Sequence, residues 1–262
     1  MVIKKYFLLW WSFTIATTQI AFQSRFGAIV FLIGKVLRFL FFLFFLTLLL
    51  AKTKTIASYS LWQVIFFYAT FNLIDAIPQF LWREVYRFRN YVIRGFFDYI
   101  ITKPISPLFR CLFGGSDILD LVIFAISFIF LIYSAVNLNG INPVGVIMYI
   151  FLIINTLVIS LAFHIFVLSI GILTTEVDNA IMLYRDLTQM GRLPIDVYKE
   201  PIRGLLTFVI PIGVMMTFPA KALMGLLSFN SLLIAFSIGV VFLSLSLYLW
   251  QHALKQYASV SS

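Results

Sequence analysis

Six apolar runs separated by short charged segments constrain this chain more than any motif in it. They cover residues 26–50, 61–81, 118–136, 144–173, 204–218 and 232–250. A helix needs about 20 apolar residues to cross the hydrocarbon of a bilayer. The fourth run exceeds that length, so it must tilt or protrude. The fifth is short and is punctuated by Pro211 and Pro219. It reads as continuing through residues 219–229 as a broken or re-entrant element at the outer face. Irregular backbone is tolerated at that depth only where protein or water covers it. Composition agrees: 62% of residues are hydrophobic and 11% charged, whereas a soluble domain is roughly half apolar and a quarter charged. The expected fold class is an all-α integral membrane protein. It has six transmembrane helices, an N-terminal amphipathic interfacial helix and a short cytoplasmic helix.

The charges are collected in two polar gaps. Residues 83–117 form a basic island with six cations (Arg83, Arg87, Arg89, Arg94, Lys103, Arg110) and three acids (Glu84, Asp98, Asp117). A second gap covers 174–203. Six spans place both termini on one side. With the N-terminus inside, cytoplasmic segments hold 14 Lys and Arg and outer segments hold 3, namely Lys52, Lys54 and Lys221. Cytoplasmic loops are the ones enriched in Lys and Arg, so both termini are expected in the cytoplasm and the protein in the cell inner (plasma) membrane. The net charge of +9 then reflects topology and anionic headgroups rather than nucleic acid. Neither gap is large enough to bury a core of its own. The chain is one domain, divided as 1–25, 26–82, 83–117, 118–173, 174–203, 204–250 and a tail at 251–262.

Residues 1–25 imitate a signal peptide, with Lys4 and Lys5 before an apolar run. Yet Thr17, Thr18, Gln19, Gln23 and Arg25 lead straight into more apolar sequence without a clear cleavage site. Lys5, Ser12, Gln19 and Gln23 share a helical face, which favours a helix lying on the membrane surface over an uncleaved signal-anchor.

Some polar residues fall inside the spans. Lys35 and Arg38 interrupt the first and Asp75 the second. Lys35 and Asp75 lie at similar depth, about 10–14 Å from the cytoplasmic ends, so an Asp75–Lys35 pair is expected. Tyr68, Asn72, Asp75 and Gln79 share a face that should look into protein or a water-filled cavity. His164 falls at a similar depth in the fourth span. These residues are either a structural ion pair and polar stripe or a substrate or proton path.

No catalytic constellation is present. Gly34-Lys35 is followed by Val36, so it is not a phosphate-binding loop. The lone Cys111 excludes an internal disulfide and a cysteine-based zinc site. No catalytic, cofactor-binding or metal-ligating set stands out, and the chain alone is not expected to hydrolyse ATP. Within the island, residues 96–101 form a short amphipathic stretch. The prolines at 104 and 107 must then break the helix.

Arg94-Gly95, Asp98 and Lys103-Pro104-Ile105-Ser106-Pro107 resemble the first cytoplasmic loop of type 2 ATP-binding-cassette (ABC) export permeases, in the branch of uncharacterised ABC transport-system permease subunits. Gly191-Arg192-Leu193-Pro194, Tyr198, Pro201, Arg203, Ile210-Pro211 and Phe218-Pro219 extend the likeness over nearly the whole chain. The resemblance implies a transmembrane half-transporter. Residues 3–24 would be its connecting helix, and a coupling helix within 91–102 would sit in a cleft of a separate cytoplasmic ABC ATPase. The implied contacts are Arg94, Phe97, Asp98, Tyr99, Lys103 and Pro104. Two ATPase copies, which bind the ATP and magnesium, and a second identical or paralogous permease chain are the implied partners. The implied activity is export of a substrate, hydrophobic or amphipathic by the lean of the spans.

Other readings remain open at this point. One is an ATP-independent secondary transporter or channel using Asp75, Lys35 and His164, against which no duplicated interrupted helices appear. Others are a membrane scaffold without transport and a membrane-embedded enzyme.

Overall fold

The computed structural model describes residues 2–138, 140–174 and 177–258. Residues 175 and 176 of the second polar gap, and the last four of the expected 251–262 tail, lie outside the described residues. The elements of the described chain are helices joined by short connections: α1 (Val2–Gln23), α2 (Arg25–Thr53), α3 (Leu61–Leu81), then α4 (Phe88–Ile93), α5 (Phe96–Ile101) and α6 (Pro107–Phe113) within the island, α7 (Asp120–Val136), α8 (Pro143–Thr174), α9 (Val177–Gln189), the bent pair α10 (Ile202–Val209) and α11 (Gly213–Leu223), and α12 (Phe229–Gln256). Four of these, α2, α3, α8 and α12, are long and apolar enough to cross a membrane.

Helix α3 is the axis of the bundle. Of its most apolar stretch 72% is buried, against 11% for α2. It packs along α7, while α8 packs along α12 and α11. Helix α2 touches the bundle through a narrow stripe, Ala28, Phe39, Leu46 and Leu50, and leaves Phe41, Phe44 and Phe45 exposed. Lipid tails are as apolar as these rings, so such a surface carries no penalty in a bilayer. Start and stop signals sit where local chemistry requires them. Ser60 and Gln63 form a capping box at the head of α3. Pro78, which cannot sustain the helical ladder, is followed within a turn by its end. Gly239 lets α12 close on α8: a Cβ there would stand 2.1 Å from the Asn155 amide oxygen.

The second polar gap does not lie on one side, as the sequence suggests. At its start Asp178 meets Arg89 of the island at 3.5 Å. At its end Asp196 accepts a hydrogen bond from Tyr59, in the α2–α3 turn at the other end of the bundle, at 2.8 Å. The chain from 177 to 197 therefore runs the length of the bundle. The expected fifth span, 204–218, is instead the bent pair α10–α11, whose halves meet at 81°. Arg203 and Lys221, near its two extremities, both grip Asp196 at 2.9 and 2.7 Å. The pair thus enters and leaves at the end opposite the island, as a re-entrant element. Protein covers its irregular backbone on one side: Thr156 of α8 donates to the Met215 carbonyl at 2.9 Å. Polar residues 178–196 escape a hydropathy reading because the segment carries charge on both its packed and its open faces: Arg185 and Arg192 are half-buried, whereas Asp178 and Asp186 are exposed. Lys199 and Arg203 move to the far end and Arg185 and Arg192 fall between the ends, so the island end retains ten Lys and Arg against five.

Burial raises the pKa of the Asp196 carboxyl, but bonds from Lys221 and Tyr59 and the charge of Arg203 outweigh it, leaving it below the ordinary carboxylate value. A depressed folded pKa contributes stability above the unfolded pKa, about 3.9, and loses it as pH falls through the folded value. The thermal midpoint of detergent-solubilised protein should exceed that of Asp196→Asn at pH 7. The gap should persist to about pH 4 and close below it.

Candidate functional site

Glu84 organises the island end. Its side chain is 1% exposed and is gripped by Arg110 at 2.7 Å and Arg87 at 3.2 Å. Tyr91 donates its hydroxyl to the same carboxylate, and burial with that negative neighbour pushes the Tyr91 phenol up to about 12. Arg110 also stacks over Phe13 of α1. Helix α1 is tied on further by Trp10, which donates to Ser116 Oγ at 2.9 Å, by Thr17, which donates to the Ser116 carbonyl at 3.0 Å, and by Lys5, which donates to the Pro104 carbonyl at 3.1 Å. Its opposite side exposes Ile3, Phe7, Leu8 and Trp11, the pattern of a helix lying on a membrane surface.

The short helix α5 stands on this base, and the structure divides its expected contacts. Phe97 is a correction: it is fully buried, 5.2 Å from the ring of Phe88 and 5.0 Å from that of Tyr257. It anchors the helix and offers no surface to a partner. Asp98 is half-buried and accepts a hydrogen bond from Tyr257 at 2.9 Å, which ties the end of α12 to α5. Burial, with the Asp98 carboxylate, holds the Tyr257 phenol at about 12, so it remains a donor at any physiological pH. Arg94, Tyr99, Lys103 and Pro104 are exposed. Phe96 is exposed beside Tyr99, a neighbour the sequence did not single out. Its facing followed from knowing that Phe97 is the inward ring.

The intramembrane residues gather around a cleft of about 340 Å³ between α2, α3 and the start of α7. Lys35, Arg38, Asn72, Asp75 and Gln79 all line it. The expected Asp75–Lys35 pair is not formed. Lys35 bonds Asp120, in the first turn of α7, because α2 lies beside that turn. His164 is not on the cleft. It is buried with its Nδ1 2.7 Å from the Ser160 carbonyl and its ring between Trp82 and Tyr184. Arg185 of α9 completes the cleft wall. An adjoining hollow of about 310 Å³ shares Arg38 and Arg185 and adds Asp186 and Arg192. The sequence does not reveal this wall, because residues 177–189 carry too many charges to suggest a helix packed among the spans. Its one signal was the acid and base spacing over 178–192, which places the charges on few helical faces.

A family model described as ABC-2 family transporter protein matches residues 36–261. The chain belongs to this family. No curated protein and no solved structure matches it. The ABC-2 permease is thus a multi-pass membrane transport component, and the island and the cleft are parts of a permease subunit. The match begins after α1 and most of the first turns of α2, and it includes all of the island, α9 and the re-entrant pair.

Removing one partner of a buried ion pair leaves an uncompensated charge and costs about 3–5 kcal/mol. Arg110→Met in this permease should lower stability by that order. Glu84→Gln strands Arg110 and Arg87 instead, but these are 21% and 47% exposed and can reach water, so it should cost less, about 1–3 kcal/mol. Thermal unfolding of the purified protein checks the ranking, and equal losses would contradict it.

Proposed function

We propose that this permease is driven by a separate cytoplasmic ATPase subunit that docks on the island end, with α5 as the coupling helix. The observation that carries the reading is the exposed aromatic tip of α5, Phe96 and Tyr99, held on a base fixed by the buried Phe97 and Glu84. A short helix with rigid footing can transmit a push, and its two exposed rings supply the anchors that protein interfaces favour. Three ties, through Arg110 to α1, through Glu84 to the end of α3 and through Tyr257 to α12, would pass that push to the spans. The excess of Lys and Arg at the island end supports placing that end, and both termini, in the cytoplasm.

The driving subunit, in two copies, binds the ATP and magnesium. A second permease chain, identical or paralogous, completes the pathway. The exposed Arg38 and Asp186 support this, since ionised groups at that depth need cover from protein or water. Export is the direction that the likeness to export permeases supports, and an amphipathic substrate fits a polar cleft flanked by apolar helices. The secondary-transport reading gains nothing from the geometry: His164 is outside the cleft and Lys35 is engaged by Asp120.

A mild-detergent pull-down of the tagged chain should bring down a subunit with nucleotide-binding motifs. Tyr99→Ala should weaken that association at least about tenfold, as loss of an interface anchor does, while leaving the thermal midpoint within a few degrees. Asp98→Lys, which breaks the Tyr257 tie, should lose stimulation of the ATPase. A complex of unchanged affinity and stimulation in both variants would refute α5 as the coupling helix.

A further inference from the structure

Only part of the charge around the cleft is closed into ion pairs. Lys35 is engaged by Asp120, and Arg83 by Gln79 and Asp117. Three further cations, Arg38, Arg185 and Arg192, have no carboxylate within 4 Å among the described residues, and neither Asp75 nor Asp186 has a cation within that distance. Arg185 and Arg192 rest instead over the rings of Tyr86 and Phe42, 5.8 and 5.4 Å away. Arg38 stands thirteen positions into α2, about 20 Å along its axis. Ionised side chains at such depth are costly. If these residues served only to set helix register, closing ion pairs with Asp75 and Asp186 would relieve part of that cost. The three guanidinium groups share two adjoining hollows of about 340 and 310 Å³ with Asp75 and Asp186 but close an ion pair with neither.

We propose that this cleft binds the anionic headgroup, phosphate or carboxylate, of an amphipathic molecule, with Arg38, Arg185 and Arg192 as its donors. Planar guanidinium groups match both oxyanions with paired hydrogen bonds and desolvate more readily than ammonium groups. The hollows are of the size that holds a small headgroup. Their rim carries the exposed Phe31 and Met182, apolar surface along which an acyl or aryl tail can lie. Asp75 and Asp186 lower the net positive charge of the cleft, so an anion is held without being trapped. The inference rests on the transport reading for its purpose and names that pathway's substrate class, but binding itself is measurable without transport.

The test uses the full chain with its co-purifying subunits in a neutral maltoside detergent and follows radiolabelled dodecyl phosphate by scintillation proximity. The expected result is saturable binding. Unlabelled dodecyl phosphate should displace the label, whereas equal concentrations of inorganic phosphate or dodecyltrimethylammonium should not. Phosphatidylglycerol should compete if the natural headgroup is that of a membrane lipid; phosphatidylglycerol failing while dodecyl phosphate binds supports a soluble anionic amphiphile. Arg38→Gln with Arg192→Gln should weaken binding about tenfold or more, the scale for losing charge-assisted bonds, and Arg38→Lys with Arg192→Lys should recover part of it. Asp75→Asn should tighten binding, a gain that misfolding does not mimic. Lys199→Gln, an exposed cation far from the cleft, should bind as the parent does. Unchanged affinity in the double Gln variant, or displacement by inorganic phosphate as effective as by dodecyl phosphate, overturns the proposal. An ATPase subunit that co-purifies while the cleft fails leaves the transport reading standing. Binding lost in the double Gln variant, with no ATPase subunit found, does the reverse.

Discussion

Each ionised side chain placed in hydrocarbon costs several kcal/mol, and this chain carries Lys35, Arg38, Asp75, Arg185, Asp186 and Arg192 between the two ends of its bundle. Much of the fold can be understood as an answer to that cost. Helix α3 turns Asn72, Asp75 and Gln79 to one hollow. The start of α7 supplies Asp120 to Lys35. The segment from 177 to 197, too polar to cross alone, packs against its neighbours and brings Arg185 to the same hollow and Arg192 to the one beside it. The apolar faces of α2 and α12 are left to the lipid, where they cost nothing.

The two ends are closed by different polar knots. At one, Glu84 joins α3 to the island and, through Arg110 and Phe13, to α1. At the other, Asp196 draws Tyr59, Arg203 and Lys221 together, so that the α2–α3 turn and both extremities of the re-entrant pair share one carboxylate. Helix α5 thus stands beside side-chain contacts that lead into α1, α3 and α12, while the far end is closed around the single carboxylate of Asp196.

The long apolar helices were legible in the sequence, because runs of Leu, Ile and Phe without charge leave few alternatives. The N-terminal helix was legible from its helical spacing of polar residues, and the short helix at 96–101 from the prolines that follow it. The fifth pass was not. Asp178, Arg185, Asp186, Arg192 and Asp196 suggest a loop to any hydropathy argument, and only tertiary partners, Arg89 at one end and Tyr59 at the other, reveal a crossing. The pairing of Lys35 failed for a related reason. Sequence proximity favoured Asp75 on the adjacent helix, whereas Asp120 lies 85 residues away and beside it in space. Phe97 and Phe96 cannot be told apart by composition: which of two adjacent rings turns inward depends on Phe88, Trp250 and Tyr257, drawn from distant parts of the chain.

The passage of residues 177–197 from one end to the other is the claim on which the cleft and the re-entrant pair both depend. It is tested most directly by side-specific labelling in sealed membrane vesicles of known orientation. Single cysteines replace Asn90 or Lys199, both exposed, in a Cys111→Ser background, and a membrane-impermeant maleimide is added from one side at a time. The account predicts that the two positions are labelled from opposite sides. Labelling of both from the same side would return residues 174–203 to a single aqueous face and contradict it.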